Sequence, residues 1–93
     1  MKTTLSKEEF ELVKNKVNEF IKTGEEIYFT GTTISPHNLR FMLTNKFGFN
    51  ENDFESNDMD FWWSFIHKDI GLVTMEFCAY TFELKLYKED DDD

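Results

Sequence analysis

Apolar residues recur along the start of the chain at helical spacing. Phe10, Val13, Val17, Phe20 and Ile21 follow one another at steps of 3, 4, 3 and 1, the repeat of a helix with one buried stripe. Ser6 stands three residues before Glu9, where each side chain can bond the other's free backbone N–H. Leu5 and Phe10 flank that box as a hydrophobic staple, and Gly24 supplies the stop. The predicted helix lies on a sheet, with Lys14, Lys16 and Glu19 turned outward.

The pattern then shortens to a period of two. In residues 26–33, Ile27 and Phe29 alternate with Tyr28 and Thr30, and Gly31 marks a bulge or the strand's end. Ser35-Pro36 reads as an N-cap followed by proline at the first helical position, where no N–H is needed. Leu39, Met42, Leu43 and Phe47 form the buried stripe of a second helix, ended by Gly48. Residues 49–58 are polar and acidic and read as a loop.

Residues 59–67 and 72–87 are rich in aromatic and β-branched side chains and read as a long hairpin around Lys68–Gly71. With Lys68 opposite Gly71, Trp62 faces Phe77 on one surface, and Trp63 faces Glu76 on the other. Both surfaces are then substantially apolar, which an antiparallel sheet with one wet face avoids. Either the helices cover both faces, or one face meets a partner. A run of this length also calls for a bulge near Tyr80, since strands seldom exceed about 10 residues. The expected fold is α+β: helix, strand, helix, then the hairpin, giving a small antiparallel sheet of about three strands packed by two helices.

Composition narrows the class. The 93 residues suit one domain, expected over 1–88, with 89–93 a disordered acidic tail. At 40% hydrophobic and 17% aromatic the chain is too apolar to stay unfolded. No run approaches the roughly 20 apolar residues of a membrane span, and the opening MKTTLSKEEF has no apolar signal core. The lone Cys78 excludes an internal disulfide framework and fits a reducing compartment, so a cytoplasmic location is expected.

Charge adds the most. The net charge of −9 argues against direct binding to nucleic acid or an anionic membrane. It is also clustered. Glu51, Asp53, Glu55, Asp58 and Asp60 give residues 49–60 a charge of −5, and Glu89, Asp90, Asp91 and the two residues after them add −5. Elsewhere the segments sum to +1 over 1–24, zero over 25–48 and zero over 61–88. The hairpin places both blocks at its open end, away from the 68–71 turn.

The candidate chemistry is binding. An EF-hand loop begun at Asn50 has Phe54 and Glu55 where a ligand and glycine belong, and Asp60 falls one residue short of the closing acid. His37 and His67 have no metal-spacing partners, Cys78 has no basic neighbour to activate it, and no phosphate loop or nucleophile elbow is present. No cofactor and no enzymatic activity are expected. Trp62 and Trp63 point to opposite faces, so one indole is exposed if one face is bare, and exposed Trp is a common interface anchor. Phe54 lies among the acids as a further apolar anchor.

One Ala, one Arg and one Pro stand beside eleven Phe and nine Lys. That usage, with the small size and acidity, resembles the profile of small accessory proteins of bacteriophages and low-GC bacteria. The profile implies an acidic inhibitor that presents carboxylates to a phosphate-binding groove of a basic partner, such as a nuclease, in the manner of DNA mimics and anti-restriction or anti-CRISPR proteins. It would act in the host cytoplasm. An immunity protein or antitoxin plugging a nuclease toxin uses the same physics. A homodimeric assembly protein, joined through the second sheet face, is the alternative of a different class.

Overall fold

The computed structural model describes residues 6–89. Helix α1 spans Lys7–Thr23 and opens with the predicted capping box: Ser6 Oγ accepts from Glu9 N–H at 3.1 Å, and Glu9 Oε1 accepts from Ser6 N–H at 2.9 Å. It closes on Gly24 at φ 76°, whose N–H donates to the Phe20 carbonyl. Leu5, the other half of the staple, lies outside the described residues. Helix α2 spans Pro36–Lys46, with Ser35 Oγ accepting from Asn38 N–H.

The sheet has five strands, not three. They are β1 (Ile27–Thr30), β2 (Phe49–Asn57), β3 (Asp60–His67), β4 (Gly71–Cys78) and β5 (Glu83–Lys88). All neighbours are antiparallel, in the order β1-β5-β4-β3-β2. The expectation of about three strands packed by two helices is wrong: after α1, β1 and α2 the chain completes a five-stranded antiparallel sheet.

Two events account for the extra strands. Residues 49–57, expected as a loop, pair with β3 along their length. Their Asn, Asp and Glu content is poor in strand formers, and only Phe49 is buried. The ladder to a strong neighbour holds them in place. The expected long strand 72–87 instead breaks at 79–82 and folds back, with Ala79 N–H donating to the Met59 carbonyl at 2.8 Å. No Gly or Pro marks that turn. Phe82 adopts φ 59°, a left-handed conformation that a bulky side chain seldom takes. Gly31 passes close beside it: its N–H donates to the Phe82 carbonyl at 2.6 Å, and an added Cβ would sit 3.0 Å from Phe77 Cε1.

The hairpin register also differs by one residue. His67 pairs with Gly71, Ile66 with Leu72, and Trp63 with Met75, leaving Lys68–Ile70 as the connection and Gly71 at φ 82°. A slip of one residue exchanges the faces of a whole strand. Val73, Met75 and Phe77 therefore join Phe65, Trp63 and Phe61 beneath the helices, while Leu72, Thr74 and Glu76 go to the other side. Val13, Val17 and Phe20 of α1 and Leu39, Met42 and Leu43 of α2 meet these sheet residues in a single core. Both helices cover one face, α1 toward β1 and α2 toward β2, and the opposite face carries no helix.

His67 fastens the junction of α2 and β2 to the end of β3. It is 5% exposed, its Nε2 sits 3.0 Å from the Phe47 carbonyl, and its Nδ1 accepts from Asp69 N–H at 3.1 Å. Its neighbour Phe49 packs with a ring separation of 4.6 Å.

Candidate partner-binding face of the sheet

The reversal at 79–82 redirects the end of the chain. Strand β5 runs back toward the 68–71 turn, and Glu89 N–H donates to the Leu72 carbonyl at 2.9 Å. The acidic segment ends at the other extremity, where Asn57 pairs with Asp60. The expected gathering of both charge blocks at one end of a hairpin is wrong for the described residues: Glu89 lies at the end opposite Asp60. What Glu89 shares with Asp53, Glu55 and Asp60 is a face of the sheet.

The route to that face is a bulge in β2. Glu51 pairs with Phe65 and Asp53 with Ser64, so Asn52 is the extra residue. Before it, Phe49 and Glu51 point to the helices; after it, Asp53 and Glu55 point away, and Phe54 turns to the helix side opposite Trp63. The bulge thus re-phases the strand, sending two carboxylates to the helix-free face and an aromatic ring to the covered one.

Four cross-strand rows follow from the register. Glu55, Trp62, Glu76, Lys85 and Tyr28 form one, and Asp53, Ser64, Thr74 and Tyr87 the next. Asn50, Ile66 and Leu72 lie beyond these on the turn side, with Glu89 alongside; Asn57, Asp60, Cys78, Glu83 and Thr30 lie on the other. Among the described residues the face therefore carries Glu55, Asp53, Asp60, Glu76, Glu83 and Glu89, and Glu26 beside β1, against Lys85 alone. No carboxylate in these rows stands directly opposite another, which avoids the worst of the like-charge cost. The one side-chain ion pair among the described residues, Arg40 with Glu51, is on the helix side.

Ser64 and Thr74 are small, so their row is low between Trp62 on one side and Leu72 on the other. The result is a groove of about 430 Å³, bordered by Asp53, Glu55, Trp62, Tyr87 and Glu89. The buried Thr74 hydroxyl donates to Glu89 Oε2 at 2.6 Å, which holds that carboxylate over the sheet. Burial first, and then the charges of Glu76 and Glu89, raise the Tyr87 pKa above its ordinary value. Tyr28 is raised too, chiefly because its hydroxyl donates to Glu26 Oε2 at 2.5 Å. Lys85 Nζ stands 5.3 Å from the Tyr87 ring centroid.

The sequence-predicted residues divide accordingly. Asp53, Glu55, Trp62 and Glu89 meet around the groove, and Asp60 shares their face through its pairing with Cys78. Glu51 is held by Arg40 on the helix side. Asp58 occupies the β2–β3 turn, where its N–H donates to Asn57 Oδ1. Trp63 is 7% exposed in the core. Phe54 is 49% exposed at the sheet's edge, its ring 5.1 Å from Trp63. Asp90 and Asp91 lie outside the described residues. Sequence reasoning missed Glu76, Thr74 and Tyr87; their signal was the alternation through 72–78 and 83–89, which becomes readable only in the correct register.

No group of His, Cys, Asp and Glu suited to a metal is present among the described residues. No helix among the described residues is long and apolar enough to cross a membrane. Comparison with protein-family models, curated proteins and solved structures yields no match.

Proposed function

We propose that this protein is a non-catalytic binding protein whose helix-free sheet face docks on a basic, nucleic-acid-binding surface of another protein. The observation that carries the reading is the segregation of charge: the face gathers carboxylates from β2, β3, β4 and β5 around a half-buried Trp62, with Lys85 its one cation among the described residues. Carboxylates so arrayed stand in for phosphates, and a surface built to neutralise phosphates attracts them. Steering by such a field raises the association rate and fades as salt screens it beyond about 8 Å. The residue usage favours a phage anti-defence setting, with a restriction or CRISPR nuclease as the target; an immunity protein acting on a nuclease toxin would use the same face.

The homodimer reading fares less well on physical grounds. A two-fold contact brings a patch against its own copy, so pairing through this face sets carboxylates against carboxylates.

The test is affinity capture from cells in which the protein acts, with wild type and with the variant Asp53→Asn, Glu55→Gln, Glu76→Gln and Glu89→Gln. Wild type should recover a nucleic-acid-binding enzyme at low salt, block its binding to DNA or RNA, and lose it as salt rises; the amide variant should recover little. Unchanged capture by the variant, or a partner indifferent to salt, would overturn the reading.

A further inference from the structure

Trp62 stands in a setting that selects one kind of cation. Glu55 on β2 and Glu76 on β4 are its direct cross-strand partners, so the indole has a carboxylate on each side, each about 5 Å away at Cβ. On the turn side of the indole lies the groove floored by Ser64 and Thr74, with Asp53 at its β2 margin and Glu89 at its β5 margin. A flat apolar ring framed by acceptors matches a guanidinium, whose face stacks on the ring while its N–H groups radiate in plane toward carboxylates. An ammonium is a compact point charge without the flat face that stacks on the ring or the rigid fork that fits carboxylates, so it suits this setting less well.

A second observation concerns how this face treats cations. Lys85 already seats its ammonium over Tyr87, so an aromatic ring of this face holds a cation within the chain itself, whereas Trp62 has none over it among the described residues.

We infer that the groove beside Trp62 takes an arginine side chain of the partner protein, with the guanidinium on the indole and its N–H groups on Glu55, Asp53 and Glu89. This rests on the reading of the face as a docking surface for a basic protein, and it names the residue type that surface must present.

The test uses the whole chain with nona-arginine and nona-lysine peptides of equal charge, titrated calorimetrically at fixed salt, with Trp62→Ala and Trp62→Phe beside wild type. Circular dichroism confirms that each variant is folded. Nona-arginine should bind wild type roughly five- to tenfold tighter than nona-lysine, in line with a half-exposed cation–π contact. Trp62→Ala should erase that preference and keep the salt-dependent binding of both peptides, while Trp62→Phe should retain part of it. Equal affinity for the two peptides in wild type, or a preference untouched by Trp62→Ala, overturns the arginine site and leaves the acidic docking face standing. Binding of neither peptide overturns the docking face as well.

Discussion

Trp62 and Trp63 are adjacent in sequence and separated in role: one is locked beneath α2, edge-on to His37 at 6.4 Å, and the other borders the acidic groove. That they oppose each other was legible from strand geometry; which of them faces outward was not, because it depends on where the helices settle. Tyr87 ties folding to pH. Its folded pKa is raised, so folding favours the neutral phenol. The stability this gives is fully present below the ordinary tyrosine pKa of about 10 and is lost as pH rises through the higher folded value. Tyr87→Phe should therefore lose less stability than wild type on the alkaline side. Urea midpoints measured between about pH 9 and 11 check this, and ultraviolet titration of the variant should lack a component that ionises above about 10. Parallel alkaline limbs in the two proteins would contradict it.

Among the elements, α1 was the most legible, since capping box, stripe and stop agree with one another and with the structure. Strand β2 was the least. Its residues prefer loops by propensity, and only a tertiary partner, β3, makes them a strand. As an edge strand its charges and bulge also discourage pairing with another chain, and Asp53 Oδ1 accepts from Phe54 N–H at 2.9 Å. The β4–β5 turn was illegible for a different reason: Ala79–Phe82 contains none of the residues that ordinarily permit a reversal, and a phenylalanine takes the left-handed position. Deleting Asn52 joins Glu51 directly to Asp53 in ordinary alternation, so Asp53 should stay opposite Ser64 and Glu55 opposite Trp62, both still on the acidic face. Partner binding should therefore survive the deletion, with a stability change of no more than about 1–3 kcal/mol by chemical denaturation. Asn52→Gly keeps the residue count and should bind as wild type does. A folded deletion variant that no longer binds would contradict this placement of Asp53 and Glu55.

For the whole molecule, the sequence showed that charge is clustered, but not that Asp53, Glu55, Asp60 and Glu89 share a face. That needed the fold-back at 79–82, which brings Glu89 beside Leu72, and the corrected hairpin register, which turns Glu76 outward. With the register taken one residue off, both sheet faces looked apolar and the bare one could not be identified. The arrangement has a consequence for assembly. Like-charged faces repel at low ionic strength, so light scattering should return the mass of a single chain in dilute salt. An obligate dimer that buries Trp62 under those conditions would favour the assembly reading over the docking one.

Strand β1 is short and early, yet its one sheet neighbour is the last strand, with Ile27 opposite Leu86 and Thr30 opposite Glu83. The first strand made therefore has nothing to pair with until residues 83–88 have been synthesised. Non-local closure of this kind slows folding, because loop entropy is spent before the contact rewards it. The molecule becomes competent only when its final strand is in place, so a chain cut short before β5 would lose two strands of the sheet together, and with them the Tyr87 and Glu89 side of the groove.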